Sequence, residues 1–281
     1  MVAIKEKIFT DKWNQILEEV AEFRRNSTGN WIWFRGHSDQ SYELDSGLSR
    51  VSKGSGERLN IWQYLHIEEN LSQSFKAQAS TFVKEDYLGL LFIMQHYGLK
   101  TRLLDWTDSF STALYFAFND WKYSEGTDAC IWLLDPHALN HYLQNNSGVL
   151  TVDDIERIES ARHLFEHLNN KGELSNRSFA MYPSKNSPRL VSQNGFFTLQ
   201  GNLLKTLEEE IKEFCPEAEE KIIKKIILPN ELVECIFEFL TINGVNHFTV
   251  YNDLESLCKS LNKDFSENRF DERIKEISKY Y

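Results

Sequence analysis

The run Met94–Phe118, MQHYGLKTRLLDWTDSFSTALYFAF, constrains the fold more than any other stretch, because it sets many chemically able side chains among glycine and aromatics. The spacing of Tyr87, Leu90, Leu91 and Met94 is helical, Gly98 fits the glycine that ends a helix, and Arg102-Leu103-Leu104 reads as a short buried strand. His96 and Tyr97 are thereby expected at a helix end, and Asp105-Trp106-Thr107 at a strand end. Ser109 is suited to cap the next helix, whose Ala113, Phe116 and Ala117 share one face and whose small residues allow close packing beneath a strand. Gln95, His96, Tyr97, Thr101, Arg102, Asp105, Trp106, Thr107 and Ser109 thus gather at the edge of a core, where binding sites are commonly built. A purely structural account competes for each: Asp105 accepting from turn amides, Arg102 paired with it, and Trp106 in the core.

The 281 residues allow one large domain or two smaller ones, and 41% hydrophobic with 13% aromatic content supplies a substantial core. No stretch approaches the length of a membrane span, and the opening MVAIKEKIFTDKWN lacks an apolar signal-peptide segment, so a cytoplasmic protein with no membrane partner is expected. Cys130, Cys215, Cys235 and Cys258 are widely spaced without a CxxC pair, which argues for reduced thiols and against structural zinc. The net charge of −11 opposes binding to nucleic acid in general. Lys221, Lys224 and Lys225 surround an apolar, strand-like run and read as its solvated side rather than as a nucleic-acid footprint.

Along the chain, Trp13, Ile16, Leu17, Val20 and Phe23 predict an amphipathic helix over 10–26. Trp31 to Phe34 reads as a buried strand, from which Arg35-Gly36-His37 leaves into a polar loop. An arginine at a strand tip, followed by a glycine that lets a ligand approach, suits an anion or a ribose diphosphate; the alternative is an arginine tying down loop carbonyls. VSKGSGER at 51–58 is linker-like, and its GSG lacks the strand–GxGxxG–helix context of a dinucleotide fold. ACIWLLD at 129–135 is a strand, followed by a helix at about 152–169.

That helix carries His163-Leu164-Phe165-Glu166-His167, the HxxEH order of inverted zinc peptidases, but His163 lies nearly opposite the apolar stripe, so no metal is expected. Residues 170–188 read as a loop over a site, and 189–199 as two strand pieces or a hairpin from which Gln193 projects. KTLEEEIKEF, KIIKKIILP, NELVECIFEFLTING, HFTVY and NDLESLCKSL then alternate helix and strand, with Asn230 and Asn252 or Asp253 as helix caps. The expected fold is α+β, with a mixed central sheet whose strands alternate with helices. It divides as an N-terminal helix (1–26), a main domain (27–263) and a charged tail (264–281).

Three stretches together resemble the FRG domain, a bacterial and phage-associated family named for its Phe-Arg-Gly motif. They are Trp33-Phe34-Arg35-Gly36 with Tyr42, Leu44, Leu48 and Arg50; Gln95-His96-Tyr97-Gly98-Leu99 through Thr101-Arg102-Leu103-Leu104-Asp105-Trp106-Thr107 to Ala117; and Arg189 through Gln193, Gly195 and Phe197. Tyr251-Asn252-Asp253-Leu254 fits the family's closing pattern, and the resemblance covers about residues 25 to 260. A more distant likeness is to ADP-ribosyltransferases, where an early-strand arginine, a Ser/Thr cluster leading into a helix and a glutamate follow in order. Arg35, Thr107-x-Ser109 and Gln193 stand in that order, with glutamine in the place of the glutamate.

The likeness implies an ADP-ribosyltransferase-like core that binds NAD or a related nucleotide and passes ADP-ribose to a macromolecular acceptor, in anti-phage defence or a toxin system. Cleaving the nicotinamide–ribose bond develops oxocarbenium-like charge, for which Asp105 is the alternative carboxylate. This reading assigns Asp105, Gln193 and His96 to catalysis, and Arg35, Gly36, Tyr97, Thr101, Arg102, Trp106, Thr107 and Ser109 to cofactor binding. Arg35, Asp105 and Gln193 are expected at strand tips that converge on one cleft, with His96 and Tyr97 on its wall. The competing reading is a non-catalytic module that senses a nucleotide or a phage product. A nuclease is disfavoured for want of clustered acidic metal ligands.

Overall fold

A computed structural model of the chain describes residues 7–82, 87–119, 126–158, 176–183, 194–266 and 278–279. The chain opens with α1 (Asp11–Asn26), capped by the Thr10 side chain, which accepts the Trp13 N–H at 3.3 Å. Then follow β1 (Trp33–His37), α2 (Ile61–Gln78), α3 (Tyr87–His96), β2 (Leu103–Thr107), α4 (Phe110–Asn119) and β3 (Ala129–Leu134). After α5 (Pro136–Gln144) and α6 (Val152–Ile158) come β4 (Phe179–Met181) and β5 (Gly195–Leu199). The remainder is α7 (Leu207–Phe214), α8 (Glu219–Ile222), β6 (Ile223–Leu228), α9 (Val233–Ile242), α10 (His247–Tyr251) and α11 (Leu254–Ser266). No described helix is long and apolar enough to cross a membrane.

The fold is α+β, but its six-stranded sheet, in the order β4-β5-β2-β1-β3-β6, is antiparallel rather than mixed. Among the described residues the one parallel pairing is the isolated bridge Leu150–Met181. The reason lies in the β2–α4–β3 crossover. Strands β2 and β3 do run the same way, as a single-helix connection requires, yet β1 sits between them and is antiparallel to both.

Register divides this sheet into two halves. Strand β2 pairs with β5 from Leu103↔Leu199 to Thr107↔Gly195, and β1 with β3 from Trp33↔Leu134 to His37↔Cys130. The halves meet at the one pair Phe34↔Thr107. On the face of Phe34 and Thr107 the core is split to match. Phe34, Ile131 and Leu133 pack with α1, α4 and α9, whereas Leu103, Phe197 and Leu199 pack with α3 and Ile155 of α6. On the opposite face the core is continuous, joining Trp33, Leu104, Trp106, Trp132 and Phe196 to α5 and α7. Trp33 of one half stacks on Phe196 of the other, with centroids 4.8 Å apart.

Several local expectations change. Strand β1 extends to His37, so Arg35 lies mid-strand opposite Trp132 rather than at a tip. Likewise β2 runs to Thr107, because β5 pairs along all of it. The stretch 170–188 is not all loop, since Phe179–Met181 form β4. HFTVY, β-prone by composition, is helical: Asn246 and Thr249 form a reciprocal capping box, with Thr249 N–H donating to Asn246 Oδ1 at 3.0 Å. Asp253 caps α11 by accepting from Ser256 N–H at 2.6 Å, but Asn230 caps nothing and donates instead to the Gly126 carbonyl. His163-to-His167 and Arg189-to-Gln193 lie outside the described residues.

Candidate functional site

A cavity of about 320 Å³ opens where β1 and β2 part company. Arg35, Gly36 and His37 come to it from β1, Asp105 to Thr107 from β2, Gln95 and His96 from the end of α3, Ala113 and Phe116 from α4, and Tyr42 and Arg50 from the loop after β1. Its size sits at the low end of the roughly 300–1,000 Å³ of small-molecule sites. Three local devices set its walls. Gly98, at φ +81°, stops α3 just past Gln95 and His96, and the Leu99 N–H closes back on the Met94 carbonyl at 2.9 Å. Ser109 caps α4, accepting from the Thr112 N–H at 3.2 Å, while its own N–H donates to Thr107 Oγ1. Gly36 lets α4 lie on β1: a Cβ there would overlap the Ala113 carbonyl oxygen and reach within 2.7 Å of the Ala117 nitrogen. Close packing of α4 on β1 requires a glycine here.

Arg35 is the organising charge. Its Nε donates to His37 Nε2 at 2.9 Å and its Nη1 to the Asp105 carbonyl at 2.7 Å, with the Asp105 carboxylate 3.8 Å away. A guanidinium offers no acceptor, so His37 Nε2 must be bare, and Nδ1 carries the proton toward the Tyr42 carbonyl at 3.3 Å. Burial, reinforced by the Arg35 charge, pushes the His37 pKa down to about 3, which keeps the ring neutral. Burial also lowers Arg35 to about 10; Asp105 opposes that shift and Arg50 adds to it, and the group stays cationic near pH 7. Beneath them Cys130 is pushed up to about 11 by burial, so it is a thiol rather than a nucleophile.

Asp105 is held from the other side by Gln95, whose Nε2 donates to Oδ2 at 2.7 Å. Thr101 Oγ1 donates to Gln95 Oε1, also at 2.7 Å, and so fixes which way the amide faces. The carboxylate remains 56% exposed. Among the described residues no group of three His, Cys, Asp or Glu side chains is placed to hold a metal ion.

Of the residues singled out in the sequence, the structure brings Arg35, Gly36, Gln95, His96, Asp105, Trp106 and Thr107 to this cavity. Trp106 contributes ring surface, since its Nε1 donates to Thr198 Oγ1 at 3.0 Å. Tyr97 does not line the cavity and is 74% exposed. Thr101 stands behind Gln95, and Ser109 stays at its cap. Arg102 is elsewhere, in a buried ion pair with Glu68 at 2.8 Å and a bond to Asn202 Oδ1 at 3.0 Å. Gln193 lies outside the described residues. Contributors that sequence reasoning did not assign include His37, Tyr42, Arg50 and Phe116. His37 was discoverable, because it follows Arg35 at the two-residue period of one strand face.

No curated protein and no solved structure matches the chain. The family comparison does, over residues 30–125, a span that runs from the approach to β1 past the end of α4 and holds Arg35, His37, Arg50, Gln95, His96 and Asp105. Those elements supply most of the cavity wall, and the family model that matches over residues 30–125 is that of the FRG domain.

Proposed function

We propose that the cavity binds NAD or a related nucleotide and that the protein is an ADP-ribosyltransferase-like enzyme built on an α+β core of that kind. The observation that carries the reading is one partly buried, oriented guanidinium and one half-exposed carboxylate, Arg35 and Asp105, facing the same cavity 3.8 Å apart. Nε and one hydrogen of Nη1 orient Arg35, which leaves Nη2 for a phosphate oxygen. Asp105 offers negative charge to the ribose as the C1′–nitrogen bond breaks and its electron pair leaves with nicotinamide. The acceptor's lone pair then bonds C1′ and its proton passes to solvent. Phe116 and the Trp106 ring offer apolar surface for nicotinamide. The family likeness, and not the cavity, supports setting this chemistry in anti-phage defence or a toxin system.

One observation favours the second reading, a non-catalytic nucleotide sensor: Asp105 Oδ2 already accepts from Gln95 and lies beside Arg35, so part of its charge is committed. Incubating the full chain with NAD, then measuring nicotinamide release and mass increments on candidate acceptors, separates the two. Release abolished by Asp105→Ala, with binding retained, supports the enzyme; saturable binding without release supports the sensor. Absence of any NAD binding removes both.

A further inference from the structure

We infer that Arg35 and Arg50 form a two-guanidinium clamp for a pyrophosphate group, which makes the ligand a nucleoside diphosphate derivative rather than a nucleoside or a mononucleotide. This deepens the NAD reading by naming the group that the site grips and the second residue that grips it. Arg50 sits at the rim of the cavity. Its Nε and Nη2 both donate to the Asp45 carbonyl, at 3.0 and 2.6 Å, and not to a carboxylate. The Asp45 carboxylate is taken by others: Arg58 Nη2 at 2.6 Å on Oδ2 and Gln200 Nε2 at 2.9 Å on Oδ1. Arg50 is therefore oriented without being neutralised, and Nη1 is not used by this arrangement.

Arg35 follows the same pattern, with a neutral imidazole on Nε and a carbonyl on Nη1. Among the described residues two arginines and one carboxylate thus face a single cavity, in a chain whose net charge is −11. The two arginines are close enough that Arg50 disfavours the charged form of Arg35, a repulsion that an anion between them relieves. Each guanidinium is tied to its own framework, β1 and β2 for Arg35 and the loop carbonyl of Asp45 for Arg50. Two fixed forks, each with an unused edge, fit two linked phosphates, one apiece.

Calorimetric titration of the full chain with inorganic pyrophosphate and, separately, inorganic phosphate tests the clamp. Wild type is expected to bind pyrophosphate about tenfold or more tightly than phosphate, and Arg50→Gln to lose about ten- to a hundredfold of the pyrophosphate affinity while that for phosphate changes little. Arg50→Lys is the second variant. It keeps the charge and loses the fork, so it too should lower the preference. A wild-type protein that does not prefer pyrophosphate, or a preference unchanged in either folded variant, overturns the clamp. Its failure and that of the NAD reading are distinguishable: pyrophosphate binding through Arg50 without NAD binding retains the clamp alone, and NAD binding indifferent to Arg50 retains only the NAD reading.

Discussion

Removing Glu68 is expected to destabilise the protein severely although it is not among the residues that line the cavity. Its side chain is 1% exposed, that of Arg102 is 5%, and the carboxylate accepts both the Arg102 backbone N–H at 3.2 Å and the Arg102 Nε at 2.8 Å. In Glu68→Met the arginine loses the buried carboxylate that faces it, while its bond to Asn202 stays. Breaking one side of a buried pair costs about 3–5 kcal/mol, which for a chain of this size lowers the melting temperature by roughly 6–20 °C. The reciprocal Arg102→Met should cost a comparable amount. The double variant should recover much of it, because two apolar side chains then pack together, although the Arg102 backbone N–H and Asn202 Oδ1 lose these partners at about 1–3 kcal/mol each. Urea denaturation of the two single variants and the double variant measures the coupling, and NAD titration of the folded fraction measures the site. A Glu68→Met cost below about 1 kcal/mol, or loss of ligand binding in an Arg102→Met protein of full stability, would show that Arg102 belongs to the site and refute the structural assignment.

Arg35→Lys keeps the charge but loses the fork, so NAD affinity should fall about tenfold or more alongside a stability loss of about 1.5–3 kcal/mol; a depressed melting temperature with unchanged affinity would leave Arg35 a scaffold residue only. Gly36→Ala forces α4 away from β1 and should cost about 1–3 kcal/mol or more, while displacing the Ala113 and Phe116 wall and weakening the ligand; denaturation at wild-type stability would contradict the close approach. Glu210 accepts the buried Ser178 N–H, and burial pushes its pKa up from 4.5 to about 7. The fold therefore holds a proton that the unfolded chain releases, and stability should drop by on the order of 3 kcal/mol as pH rises from 4.5 to 7, then level off. Glu210→Gln should abolish that slope, so an identical pH series in the variant counts against the assignment.

The elements around the cavity were legible because each is announced locally. Apolar runs mark β1, β2 and β3, Gly98 marks the end of α3, and Ser109 marks the start of α4. Partnership was not legible. Arg102 lies three residues from Asp105 in sequence but points to Glu68, which is 34 residues upstream on α2 and reads in sequence as an ordinary solvated helix position. Arg35 and Asp105 are 70 residues apart and meet only because β1 is inserted between β2 and β3. Arg50 belongs to a loop whose path is set by the side chain of Gln200, which accepts from the Ser46 N–H and the Ser49 hydroxyl. No periodicity records such contacts. HFTVY shows the opposite case, in which a local propensity was legible and a capping box outweighed it.

The sequence framed Arg35 as a choice between gripping an anion and tying down loop carbonyls, and the sheet shows what the side chain holds within the protein. An antiparallel ladder that ends after Phe34↔Thr107 leaves backbone groups of two adjoining strands without their usual partners. Nη1 of Arg35 supplies one to the Asp105 carbonyl, closing the gap with a side chain where a strand N–H would otherwise stand. The same contact fixes the guanidinium plane and keeps it beside the Asp105 carboxylate, with the other edge of the fork unused. A polar cavity inside a sheet needs such an interruption, because an intact ladder would bring the strands together and leave no room between them. Repairing the sheet and presenting the charge are therefore one arrangement, and the continuous core behind it, with Trp33 stacked on Phe196, holds the two halves together while the front face stays open.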